Sequence, residues 1–349
     1  MLYYFTKSGA RAQDAAEMIA DGKKHFRIWT GNGAAFDYDA AGNMIGRVDD
    51  APRHFDAVEI WTSMPEKDRK NAHRIAAGRE TIRSREEKAE SILRMDVITA
   101  ADRAALLSLV SVSYHDSGKI EGCFSVDSTA ACDFCEKMRA AALDNVLIIC
   151  GACYAAADSY KEFSWRAHKL NARILSMVLF SVDEMRALKI DGERCRLNED
   201  GDTINITHAR NYLRIIAGRK STHFGYWYKN RPAVEGGLRA EGYTRREDLP
   251  DNVRFIHSSL LIGVPAEPTW FDDGIFTVYP DAATTAAAIA AGAHACNGRR
   301  CRACGFTCYM MKRRPEPLYI AEFLRCGAAA RARIMTAYNA YTAAQAARA

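Results

Sequence analysis

Four cysteines fall within thirteen residues at Cys296-x4-Cys301-x2-Cys304-x3-Cys308. Thiolates this close together can all reach one centre, either a metal ion or a cluster. The first three have the C-x4-C-x2-C spacing of a plant-type iron–sulfur ligand set, whereas zinc sites more often use C-x2-C pairs separated by a longer loop. The compact run points to iron–sulfur, a 4Fe-4S cluster foremost, with zinc as the alternative. A second group, Cys132-x2-Cys135-x14-Cys150-x2-Cys153, has the spacing of two zinc-ribbon knuckles. It reads equally as a three-thiolate set of Cys135, Cys150 and Cys153, with Cys132 a small buried hydrophobe. The distinction is chemical: four thiolates saturate a centre, while three on a four-iron cluster leave one iron open to a substrate or cofactor.

The remaining thiols, Cys123, Cys195 and Cys326, stand alone and are expected to be buried, with Cys123 near enough to the first group to serve as a reserve ligand. The chain has eleven cysteines in all. An odd number of clustered thiols fits metal binding in a reducing compartment better than disulfides. Arg299, Arg300, Arg302, Lys312, Arg313 and Arg314 flank or interrupt the second group, and no acid occurs between 296 and 314. Such cations either stabilise an anionic thiolate centre or contact phosphate.

A chain of 349 residues, 48 % hydrophobic and 26 % charged, is far too apolar to be disordered and long enough for one main domain with an appendage. A net charge of +5 is too small to imply nucleic acid by itself. Met1–Lys7 lacks a signal-peptide pattern, and the Ala-rich stretch 282–295 is too short to span a bilayer. A cytoplasmic location with no membrane partner is the expectation.

The elements that must position these thiols fall into three stretches. Residues 1–98 read as a small α+β unit: a helix at 11–22, strand-like runs at 26–30, 35–39, 44–48 and 57–63, and a charged helix over 66–94. That last segment carries nine Lys/Arg and six Asp/Glu, opposite signs that suit a solvated helix. Gly31-x-Gly33 lacks the third glycine and the context of a dinucleotide fingerprint and reads as a hairpin turn. Residues 99–290 read as an α/β core, with strands at 106–114, 124–127, 194–205, 223–229, 253–260 and 275–279 and helices at 155–180, 208–217 and 234–240. Strand and helix in alternation imply parallel pairing through crossovers, giving a parallel sheet or a partial (β/α) barrel. Residues 291–349 read as a cysteine-rich cap followed by a helix with Ile334, Tyr338 and Tyr341 on its packed face.

In such folds function collects at the carboxyl ends of the strands. Those ends carry Asn198, Tyr228-Lys229-Asn230, His257-Ser258-Ser259, and Thr277 with Tyr279. Asn198, His208, Lys229, Asn230 and Ser258 are the candidate catalytic residues. For His208, at a helix start, a capping or surface role is the plainer alternative.

From about Leu106 to Tyr309 the chain resembles the phage- and plasmid-borne "gene product 88" family of cysteine-rich proteins. The residues that carry the resemblance include Leu106-Leu107-Ser108, Ser117-Gly118-Lys119-Ile120, Phe134-Cys135, Cys150-Gly151-Ala152-Cys153-Tyr154, Arg196-Leu197-Asn198 with Gly201-Asp202, Phe224–Asn230, Asn252–Ser259, and Cys296 through Tyr309. The resemblance implies a mobile-element protein whose metal ligands are Cys135, Cys150, Cys153, Cys296, Cys301, Cys304 and Cys308, and it omits Cys132. The family is distantly similar to radical S-adenosylmethionine enzymes, in which a three-cysteine site precedes a partial barrel, so S-adenosylmethionine enters as a cofactor expectation. The sequence departs from that pattern in having no C-x3-C-x2-C run, since fourteen residues separate Cys135 from Cys150.

Together these features predict an iron–sulfur protein, a redox or radical-type enzyme acting on a small-molecule or nucleic-acid substrate and served by an electron donor. The alternative is a zinc-stabilised nucleic-acid-binding protein, with the 299–314 basic residues on phosphate and Tyr226, Trp227 or Tyr228 stacking on bases.

Overall fold

The computed structural model describes strands at 24–29, 35–38, 44–48 and 58–59, and then residues 81–116, 120–128, 137–138, 140–142, 145–152, 162–199, 201–296, 301–305, 307–324, 326 and 328–347. The expected helix at 11–22, Cys132, Cys135, Cys153, and Arg299 with Arg300 lie outside the described residues. The chain divides into two compact units, Met1–Glu87 and Lys88–Ala349.

In the first unit, β1 (Lys24–Trp29), β2 (Ala35–Tyr38), β3 (Met44–Val48) and β4 (Val58–Glu59) form an antiparallel sheet in the order β3-β2-β1-β4. Strands β1 and β2 pair antiparallel, with Trp29 opposite Ala35; the expected Gly31–Gly33 turn lies outside the described residues.

The second unit is built on eight strands: β5 (Ser113–His115), β6 (Cys123–Val126), β7 (Arg194–Leu197), β8 (His223–Tyr228), β9 (Val253–Ser258), β10 (Gly274–Tyr279), β11 (His294–Ala295) and β12 (Leu318–Phe323). Their order is β11-β12-β10-β9-β8-β7-β6-β5, parallel throughout except for the antiparallel edge strand β5. From β6 to β10 the strands lie side by side in chain order. Each crossover therefore steps the same way, and the right-handed rule puts all their helices on one face. The helices Glu162–Met177, Ile206–Ala217 and Arg231–Ala240 occupy these crossovers.

Strand alternation sorts the side chains between the two faces. Val126, Cys195, Leu197, Phe224, Tyr226, Tyr228, Val253 and Phe255 meet helix residues such as Leu175, Tyr212, Leu213, Ile216, Val234 and Leu238 in the main core. Helix Ile206–Ala217 crosses Arg231–Ala240 so closely that a Cβ on Gly237 would stand 2.4 Å from that of Ala209. On the other face, Trp227, Ile256 and Ile320 meet Cys296, Cys308 and Met311, and Cys123 meets Tyr309, Cys301 and Cys308. The cysteine segment thus covers the face that the crossover helices leave free.

Three expectations are corrected by local physics. Residues 106–109 are helical, not extended: Thr99 caps the helix Ala100–Leu109 in a reciprocal capping box with Asp102, and the strand begins only at Ser113. The strand from Arg194 ends at Leu197 rather than Asn205, because Asn198 turns into the left-handed region (φ 60°). A third departure is β12, a parallel strand flanked on both sides and lying inside the stretch 291–349, where no strand is expected. The C-terminal helix, Ala328–Ala346, packs Ile334, Tyr338 and Tyr341 against Leu147, Ile262 and Leu324, as its helical spacing predicts.

Candidate functional site

Three of the four C-terminal thiols, Cys296, Cys301 and Cys308, pack on one sheet face. Cys296 leaves the end of β11, with its N–H donating to Ala321 O, and Cys301–Cys304 forms a 3-10 turn in which Cys304 Sγ lies 3.1 Å from Cys301 O. Helix Thr307–Met310 then sets Cys308 and Tyr309 on the sheet. Burial pushes the Cys308 thiol up to about 12, and the charges of Cys296, Cys301 and Cys304 act on it in the same direction. Among the described residues no three of these sulfurs lie within 4.8 Å of one another, a spacing wider than a single ion takes. Cys304 is exposed and the other three are partly covered.

Gly225 allows this approach, since a Cβ there would lie 3.0 Å from Tyr309 Cε1. Arg196, on the same face, stands over the Trp227 ring at 4.3 Å, and its charge partly opposes the upward push of burial on Cys308, Cys123 and Tyr309. Cys123, expected beside the first cysteine group, instead neighbours Cys301. Its thiol is pushed up to about 11, chiefly by burial and then by Cys301. Of the first group only Cys150 is described. It is buried in the turn Ile149–Ala152, which an Ile148–Leu261 bridge ties beside the end of β9.

The polar strand-end residues divide into three sets. At the ends of β7 and β8, Asn198 Nδ2 donates to Trp227 O and Thr203 Oγ1, while its Oδ1 accepts from Ser128 and Tyr212. Asn230 Nδ2 donates to Thr203 O and Ile204 O. Between them lies a residue that sequence reasoning did not nominate. The Asp202 carboxylate accepts from the backbone N–H groups of Thr203, Lys229 and Asn230. Burial nevertheless raises its pKa to about 6, against the opposing pull of Lys229. Asn198, Asp202, Lys229 and Asn230 thus form one network carrying a carboxyl that titrates near neutrality.

His208 belongs inside this network rather than on the rim. It is fully buried, its Nδ1 accepts from Ile204 N, and its ring lies 4.4 Å from that of Tyr212. Burial lowers its pKa to about 3, so the imidazole is neutral. Asn205, not His208, caps the helix. Ser258 is buried one strand further on, at the end of β9. Beside it His257 stacks on Tyr228 at 5.0 Å, Arg231 reaches His257 Nδ1 at 3.0 Å, and Tyr228 OH donates to Asp272. Burial, reinforced by Arg231 and Lys229, lowers His257 to about 4.

The third set, also unforeseen, joins Asp127 and Glu199, just past the ends of β6 and β7, to His115 at the end of the edge strand β5. His115, Asp127 and Glu199 bring their ligand atoms within 4.8 Å of one another.

Two parts of the nucleic-acid expectation are corrected. Tyr226, Trp227 and Tyr228 are all buried, held by the core on one face and by Arg196 and the cysteine segment on the other, so none offers an exposed ring to a base. Arg313 is committed to buried Asp273 at 3.0 Å and to the carbonyls of Leu249, Pro250 and Val253. Lys312 and Arg314 remain exposed. Comparison of the chain with family models, curated proteins and solved structures gave no match. Among the described residues, no helix is long and apolar enough to cross a membrane.

Proposed function

We propose that this chain is an iron–sulfur protein in which Cys296, Cys301, Cys304 and Cys308 hold one cluster against the inner face of a parallel sheet. The observation that carries the proposal is the packing of Cys296, Cys301 and Cys308 with Trp227, Tyr309 and Ile320 on one sheet face that also bears Arg196. A four-sulfur donor set fits such a group by its chemistry. When bound, a cluster there supplies one-electron transfer. The chain's own residues set its environment: Trp227, Ile256 and Ile320 exclude water, and Arg196 offsets the thiolate charge, which raises the reduction potential. Exposed Cys304 marks the edge nearest an electron donor.

Cys135, Cys150 and Cys153 are proposed to hold a second, open cluster, as the resemblance to the "gene product 88" family implies, within a redox or radical-type enzyme of a mobile element. S-adenosylmethionine is a candidate partner of that open iron. The substrate is then met at the strand ends, where Asp202 can hold or release a proton near neutral pH while Lys229 supplies positive charge. Asn198 and Asn230 position that pair, and Ser258 lies on the neighbouring strand end.

Metal content tests the proposal. Protein purified anaerobically is expected to be brown, to absorb broadly near roughly 400 nm and to carry about eight irons per chain. Colourless protein with stoichiometric zinc would overturn it.

A further inference from the structure

We propose that His115, Asp127 and Glu199 form a binding site for a divalent first-row metal ion with a preference for nitrogen and oxygen ligands. None of these ligands is a thiol.

The strand pattern creates it. In β6, Cys123 and Ser125 point to the face opposite Phe124 and Val126, and Asp127 continues that alternation just past the strand end. Antiparallel pairing sets His115 opposite Cys123, on the same face. Glu199 comes from the neighbouring parallel strand, just beyond the left-handed turn at Asn198.

The geometry suits an ion. His115 Nε2 lies 3.1 Å from Glu199 Oε2, and both lie within 4.8 Å of an Asp127 carboxylate oxygen. Metal–nitrogen and metal–oxygen bonds of about 2.0–2.2 Å place adjacent ligands about 3.0–3.5 Å apart, so closure requires only small side-chain shifts. His168, on the helix Glu162–Met177, sets its Nε2 4.0 Å from Asp127 Oδ2. One or two imidazoles with carboxylates is the ligand class of zinc, manganese and non-haem iron(II) sites.

The surroundings hold Asp127 in place. Ser125 Oγ donates to its Oδ2 at 2.7 Å and also lies 2.9 Å from His115 Nε2. Glu199 N donates to Oδ1 at 2.6 Å, and Asn171 Nδ2 ties Asp127 O to Ser111 O. Fixing first ligands by such outer hydrogen bonds is characteristic of metal centres. Two carboxylates this close repel one another, and a divalent ion removes that repulsion. Asp127 is buried, but the His115 and Glu199 side chains are 26 % and 25 % exposed. One side of the site is therefore open to water or a further ligand, at the carboxyl ends of parallel strands.

Manganese(II) is the probe of choice because thiolates select softer ions. The chelator-treated full chain is titrated with Mn2+ while the free ion is followed by electron paramagnetic resonance. One Mn2+ per chain is expected to bind. Glu199→Gln, which keeps the side chain's shape, and His115→Ala are each expected to weaken binding at least tenfold, while the exposed control Glu247→Gln leaves it unchanged. Thermal unfolding with and without Mn2+ gives a second readout, a rise in Tm for the parent chain that Glu199→Gln abolishes. Absence of Mn2+ binding by the folded parent chain, or binding that survives Glu199→Gln, overturns the proposal. Either result is independent of the iron content.

Discussion

Two ionisable side chains with opposite behaviour sit six residues apart in the segment that follows β7. Asp202 is raised to about 6 and His208 is lowered to about 3, both chiefly by burial, which disfavours whichever form is charged. For His208 the consequence can be measured. An unfolded histidine takes up its proton below about 6.5, whereas folded His208 does so only near 3. Between these values the unfolded state binds more protons, so the contribution is fully present above 6.5 and is lost as the pH falls. His208→Asn keeps an acceptor for Ile204 N and removes the titration. It should flatten the rise of unfolding free energy between pH 4 and 6 by about 1.4 kcal/mol per pH unit, as read by urea unfolding across that range. An unchanged slope would mean that His208 protonates freely in the folded protein. The strand-end rule found the neighbourhood of this network through Asn198, Lys229 and Asn230. It passed over Asp202 because an Asp after Gly201 looks like an ordinary turn, and its burial arises only when the loops after β7 and β8 meet. The same rule, applied to the end of β6, points to Asp127. His115 had no comparable signal, because its role depends on an antiparallel edge strand that the sequence reading placed inside a longer run.

Among elements, those with strong alternation or a clear cap were legible. Strands β8 to β10 and the helices Ile206–Ala217 and Arg231–Ala240 match their expected positions to within a few residues, whereas β7 matches only at its start. The helix Ala100–Leu109 was missed although Thr99 and Asp102 announce it, because Leu106, Leu107 and Leu109 also suit a strand when read without their cap. β12 was hidden by its setting between basic and proline-containing residues and the distant β10 with which it pairs. The short helix Thr307–Met310 is the element on which the thiol centre depends, and it touches the sheet only because β8 offers Gly225. A methyl group there meets Tyr309 at 3.0–3.2 Å. Gly225→Ala is therefore expected to displace Tyr309 and Cys308, to destabilise the fold by about 1–3 kcal/mol and to lower the iron retained per folded chain. Metal analysis of the monomeric fraction checks this, and full iron retention would show that the centre is insensitive to the approach of this helix.

At the scale of the whole molecule, chain order gives the architecture: strands laid down in sequence, crossovers of one hand, helices on one face, and a cysteine segment returning over the other. The cysteine count showed that thiols would converge, but not where. Cys123, 173 residues before Cys296, joins the C-terminal group because β6 and the returning segment share one face. The central claim is that Cys296, Cys301, Cys304 and Cys308 ligate one iron–sulfur cluster. Its most direct test compares iron and acid-labile sulfide in the anaerobically purified parent chain and in Cys308→Ala, each counted per folded chain. The variant should lose about four irons and four sulfides and keep the rest. Equal iron in the two proteins, or zinc in place of iron in both, would contradict the account.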